Sequence, residues 1–181
     1  NSEKKVIEKF DEILKKQSFQ SKILSLDIDF YRKGINKINE EGKKVTENQI
    51  SNMSNIHQSL DIAKNCEDLI YFVEDDYLHK IDAIEEMIFT YEKISTQLNK
   101  EMILCPADYP YLYNNLQKSN IFIGNKYHWR SVEETLCTFL TSQKLINQYW
   151  DKFISVCKTE HYPFEKPFHE IYKKELCISP I

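Results

Sequence analysis

Apolar positions recur every three to four residues over several stretches of the chain. Val6, Ile7, Phe10, Ile13 and Leu14 carry Lys and Glu between them, which predicts an amphipathic helix near the amino end. Ile50, Met53, Ile56, Leu60 and Ala63 repeat the spacing behind Thr46, with Gln49 placed to complete a capping box. Ile84, Met87, Ile88, Tyr91, Ile94 and Leu98 mark a further helix, with Asp82 and Glu85 at its positive end. Leu145, Ile146, Tyr149, Phe153 and Ile154 predict another, capped by Ser142, and a last one is expected to begin near Phe164–Pro167.

Shorter apolar runs predict strands. Ile23–Asp29 (ILSLDID) ends in carboxylates, and Asp68–Val73 (DLIYFV) is apolar nearly throughout, as in a strand covered on both faces. Met102–Cys105, Thr135–Leu140 and the closing LCISPI are further strands, and Ile121–Ile123 with Tyr127–Trp129 flank Gly124-Asn125 as a hairpin. The tyrosine-rich stretch 106–118 is expected to be a loop. Helix and strand alternate in the first half, so the expectation is an α/β fold with an open, mostly parallel sheet flanked by helices, in one domain spanning 1–181.

Composition narrows the function. Three glycines, Gly34, Gly42 and Gly124, leave no glycine-rich phosphate loop. The net charge is −4, and the 24 basic residues, of which only Arg32 and Arg130 are arginines, form no stripe that would suit nucleic acid. No apolar run approaches the roughly 20 residues of a membrane span. Five scattered cysteines without a C-x-x-C pair suggest neither a disulfide framework nor a zinc site, and fit a reducing compartment.

The three acids Glu74, Asp75 and Asp76 follow the apolar DLIYFV strand directly. Ligands of open α/β sheets bind outside the carboxyl ends of strands. Adjacent carboxylates there repel unless a cation compensates, and hard oxygen ligands suit Mg²⁺ or Mn²⁺. The alternative is an exposed acidic turn before the helix.

The run DLIYFVEDDYLHKIDAIEEMI resembles the metal-binding strand and following helix of GT-A-fold glycosyltransferases with an acidic EDD version of the DxD motif. CPADYPYLY, YHWRSVEETLCTFL and CISPI extend the resemblance, over Ser21 to Ile181, to family 2-type transferases of bacterial surface polysaccharide synthesis. It implies a Rossmann-related three-layer sandwich that takes a nucleotide-diphosphate sugar donor and a saccharide or glycan acceptor. Asp76 would hold the metal that bridges the diphosphate, with Glu74 and Asp75 toward the ribose, the sugar or metal-bound water. The family's base falls near the start of a late helix, which here offers Glu165 first and Glu170 second, without the customary Glu-Asp pair.

Asp108 is a further candidate for catalysis or sugar contact, its alternative being a local turn with Pro110. Glu133 and Glu134 stand as lesser candidates. Tyr109, Tyr111, Tyr113, Tyr127 and Trp129 are candidate stacking surfaces for sugars, and Arg130 is a candidate phosphate partner. The five histidines lack metal-ligand spacing, His79 being the one placed near the acids. The family's base-gripping first strand has no counterpart, and a downstream metal-side His is absent, so the chain is expected to be a segment of something longer. The resemblance implies a cytoplasmic protein or one peripheral to the inner membrane face.

Two other functions are compatible with these residues. Asp27-x-Asp29 at the end of one strand and Asp75-Asp76 at another are the pattern of an aspartyl phosphatase, although Tyr31 replaces the expected Thr. A non-catalytic transferase-like domain that binds a partner is the third.

Overall fold

The computed structural model describes residues 22–74, 76–114 and 118–181. The amphipathic helix expected over Val6–Leu14 lies outside these residues, as does Asp75.

Short helix α1 (Ile28–Tyr31) and a 3₁₀ turn (Arg32–Gly34) lead to the long helix α2 (Glu47–Ala63). Strand β1 (Leu69–Phe72), helix α3 (Ala83–Leu98) and strand β2 (Met102–Leu104) follow, and a 3₁₀ turn over Pro110–Tyr113 lies in the tyrosine-rich loop. Next come β3 (Ile121–Ile123), β4 (His128–Ser131), β5 (Phe139–Ser142), α4 (Gln143–Gln148), α5 (Trp150–Ser155), α6 (Lys166–Tyr172) and β6 (Leu176–Pro180).

The six strands form one sheet in the order β1-β5-β2-β6-β4-β3. The α/β class and flanking helices are as expected, but the sheet is mixed. Only β2 and β6 pair in parallel, and the other four pairings are antiparallel. The reason is connectivity: β3 and β4 are joined by a tight hairpin, and β5 inserts in the reverse direction between β1 and β2. Two reversals cancel, so β1, β2 and β6 still point the same way and deliver their carboxyl ends to one edge of the sheet.

Side-chain alternation splits the core into two layers. Met102, Leu104 and Ile178 face α3 with its Met87, Tyr91 and Ile94. Ile103, Cys105 and Cys177 face the opposite layer, where Leu60 of α2, Leu145 of α4, Phe153 of α5 and Phe168 of α6 pack with Phe139. Helices on both faces explain why β2 is buried end to end. Strand β1 departs from expectation: every residue of it is half-buried, because it is the edge strand.

Three further expectations are corrected. Ile23–Asp29 is no strand, since residues 22–27 are irregular and Asp27 caps α1 by accepting the Phe30 N–H. The strand placed over Thr135–Leu140 occupies Phe139–Ser142, where it meets partners on both sides. The helix expected behind Ser142 is interrupted at Tyr149 into α4 and α5.

Candidate functional site

Strand β1 hands the chain into the acidic loop. Glu74 is fixed at its base: its N–H donates to Thr138 Oγ1 at 3.1 Å, and the Thr138 hydroxyl reaches Glu74 Oε2 at 3.3 Å. The preceding residue, Cys137, directs its thiol to Glu165 Oε1 at 3.9 Å. Glu74 and Glu165, far apart in the chain, therefore flank the same two residues. Burial, reinforced by the carboxylates of Glu165 and Glu74, pushes the Cys137 thiol well above its ordinary pKa, so it is no nucleophile. Asp76 is exposed and, with Glu74, lines a groove of about 630 Å³ between β1 and α2.

The Tyr77 and Tyr109 hydroxyls hydrogen-bond, tying the loop after β1 to the loop after β2. His79 meets the Tyr71 hydroxyl rather than the acids, and burial pushes that phenol up to about 12. A second cavity, of about 410 Å³, opens on this side, walled by the loop, the start of α3, residues 106–108, the β3–β4 hairpin and the end of β6.

Asp108 lies in that wall with both oxygens engaged. Its Oδ1 accepts from Arg130 at 2.6 Å and its Oδ2 from the Tyr113 hydroxyl at 2.5 Å. The Arg130 guanidinium lies 4.1 Å from the centre of the Tyr113 ring. Arg130 is thus partnered by a carboxylate rather than left as an exposed phosphate clamp. Trp129 is 1% exposed, and its indole N–H donates to Glu86 Oε1 at 3.1 Å, so it belongs to the core while forming part of the cavity wall.

Glu86 is the residue that sequence reasoning missed. It is 3% exposed and also accepts from the N–H groups of Asn125 (3.1 Å) and Lys126 (2.8 Å) and from the Thr90 hydroxyl (3.1 Å). Burial raises the cost of its charge, but these donors together with Trp129 outweigh it and hold the carboxyl below its ordinary pKa. The signal was present: Glu86 shares the inward face of α3 with Met87 and Thr90, where an acid needs donors to be tolerated. Gly124 sits against the same cluster, and a Cβ there would come within 2.4 Å of Glu86 Oε1 and 2.5 Å of both Thr90 Oγ1 and Trp129 Nε1.

Not every candidate converges. Glu170 is exposed and pairs with Lys152 across α5 and α6, which lowers its pKa. Glu133 and Glu134 are exposed, with Glu134 near enough to Tyr111 to add to the burial that pushes that phenol up to about 12. The tyrosine-rich loop stacks on itself, Tyr109 against Tyr111 at 5.4 Å.

Among the described residues no group of three or more His, Cys, Asp or Glu side chains converges as a ready-made metal cage. The donor set nonetheless fits Mg²⁺ or Mn²⁺, because such ions commonly take one or two protein carboxylates and complete their shell with substrate phosphates and water. Glu74 and Asp76 are hard oxygen donors beside an open groove. Among the described residues no helix is long and apolar enough to cross a membrane. No protein-family profile matches this chain, and neither a curated protein nor a solved structure shows significant similarity to it.

Proposed function

We propose that this chain is the core of a metal-dependent glycosyltransferase that moves a sugar from a nucleotide-diphosphate donor to a saccharide or glycan acceptor, in surface polysaccharide or glycan synthesis. The observation that carries the reading is the approach of Glu74 and Glu165 to the adjacent residues Thr138 and Cys137, with Asp76 lining the same groove as Glu74 and Cys137 beyond the carboxyl end of β1. The 630 Å³ groove is within the usual size of a small-ligand site and is the place for the donor.

Glu74 and Asp76 would hold Mn²⁺ or Mg²⁺, which when bound offsets the charge of the leaving diphosphate. Glu165 takes the proton of the acceptor hydroxyl as its oxygen bonds to the anomeric carbon and the bond to the diphosphate breaks. Glu170, held by Lys152 on the outer surface, takes no part. The cytoplasm or the inner membrane face is the setting this chemistry implies.

Calorimetric titration with uridine and guanosine diphosphates in the presence of Mn²⁺ tests the reading. One of the two should bind, and Asp76→Ala should abolish that binding. Where turnover is measurable, Glu165→Gln should lower it by about 10²- to 10⁴-fold, and Glu170→Gln should leave it unchanged. A folded protein that binds neither nucleotide contradicts the proposal.

That result would favour a partner-binding domain instead, for which Leu78 and Ile81, 101% and 108% exposed, are the supporting observation. The phosphatase alternative is not carried forward, because the strand that should present Asp27 as nucleophile is absent and Asp27 is spent on capping α1.

A further inference from the structure

The two cavities on either side of the acidic loop differ in chemistry. The acids around the 410 Å³ cavity are compensated: Asp82 faces Lys126 at 2.9 Å with Lys80 also near it, Asp108 faces Arg130 at 2.6 Å, and Glu86 is surrounded by donors. A pocket so neutralised suits an uncharged ligand rather than a diphosphate. Its remaining walls are apolar at Met87, Pro106 and Pro180. On the Tyr127 side, Lys80 lies 4.6 Å from the ring centre with its Nζ 3.4 Å from the Tyr127 hydroxyl, so an ammonium donor and a hydroxyl stand together at the rim.

Asp108 is the fixed element. Arg130, itself buried, and Tyr113 each occupy one of its oxygens and lock the carboxylate in place. A carboxylate oxygen that already accepts one donor still has a lone pair for another. Asp108 is therefore built to accept, in a fixed direction, a hydrogen bond from a neutral hydroxyl.

We propose that the 410 Å³ cavity is a saccharide pocket in which Asp108 accepts a sugar hydroxyl, Lys80 donates to a ring or hydroxyl oxygen, and the apolar walls meet the C–H face. This deepens the glycosyltransferase reading and rests on it for its role, that of the acceptor subsite. Asp108 is then a binding residue, with the base role left to Glu165 as proposed above.

The chain has two tryptophans, and they make a built-in probe. Trp129 lines the cavity, whereas Trp150 lies under Lys64, 4.2 Å from the ring centre, beside the other helical layer. The full chain should be titrated with methyl pyranosides of gluco, galacto and manno configuration and with N-acetylglucosamine, following both indole N–H signals by NMR. At least one sugar should shift the Trp129 signal and leave Trp150 unmoved. Asp108→Asn should weaken that sugar about tenfold, the loss of one good hydrogen bond to a charged group. If Asp108→Asn does not fold, the exposed Lys80→Ala replaces it, with a several-fold weakening expected.

The inference is overturned if no sugar moves Trp129, if the folded variant titrates like the parent, or if a nucleoside diphosphate displaces the sugar from this cavity. Nucleotide binding without a sugar response removes this inference alone. Sugar binding without nucleotide binding leaves the pocket and removes the transferase reading.

Discussion

Two acids, one in the loop that joins β1 to α3 and one on the first turn of α3, have opposite environments. Glu86 is buried and receives donors from Thr90, Asn125, Lys126 and Trp129, while Asp76 is exposed beside an open groove. The first spends its charge on holding the β3–β4 hairpin against α3. The second leaves its charge to solvent or to a cation. An acid's residue type therefore says little about its task, and the supply of donors around it says much.

That contrast can be broken most forcefully at Glu86. Glu86→Ala strands several buried donors at a cost of about 1–3 kcal/mol each, so a loss of about 3 kcal/mol or more is expected in denaturant unfolding. Asp76→Ala should change stability by less than about 0.5 kcal/mol in the same experiment. Equal losses at the two positions would erase the distinction.

Gly124→Ala sharpens it from the other side. The new Cβ would collide with Glu86, Thr90 and the Trp129 indole, so a cost of about 1–3 kcal/mol is expected. A folded variant should also show a displaced Trp129 indole N–H signal. An unchanged melting temperature would mean that the hairpin is not held as tightly as Glu86 implies.

The smallest effect concerns acid. Glu40 is held at about 2 by the Tyr162 N–H, with His161 and Lys166 adding to it. A carboxyl depressed in the folded state stabilises fully above its ordinary value of 4.5, and that contribution is lost as pH falls through about 2. The Tyr162 amide signal should therefore follow a titration with its midpoint near 2, and Glu40→Gln should remove that response. A midpoint at the ordinary carboxyl value would show that the contact is not maintained in solution.

What could be read from sequence was what is local. The capping box at Thr46 and Gln49 and the three-to-four spacing behind it gave α2, and both hydrogen bonds of the box are present. The spacing from Ile84 to Leu98 likewise gave α3. Strand identity was legible where flanking turns bracket an apolar run, as in β2 and β6.

Partners were not legible, because pairing joins residues distant in the chain. ILSLDID has strand-like residues but lies in no sheet among the described residues, so its composition could not make it a strand. Strand β5 runs against β1 and β2, and nothing in TLCTFL announces its direction. In the candidate site, the acidic loop was legible from its place at the end of an apolar run, while Glu165 came from resemblance. The Asp108–Arg130–Tyr113 arrangement and the Glu86 cluster required the folded geometry, since each joins segments that only the sheet brings together.

The most direct measurement on the acidic loop is paramagnetic broadening of backbone amides by Mn²⁺ added with uridine or guanosine diphosphate. Signals of residues 73–77 and of Thr138 should broaden selectively, those of Asn125 and Lys126 beside Glu86 should persist, and Asp76→Ala should abolish the selective broadening. Uniform weak broadening over all exposed acids, unchanged in Asp76→Ala, would contradict a cation site at the end of β1.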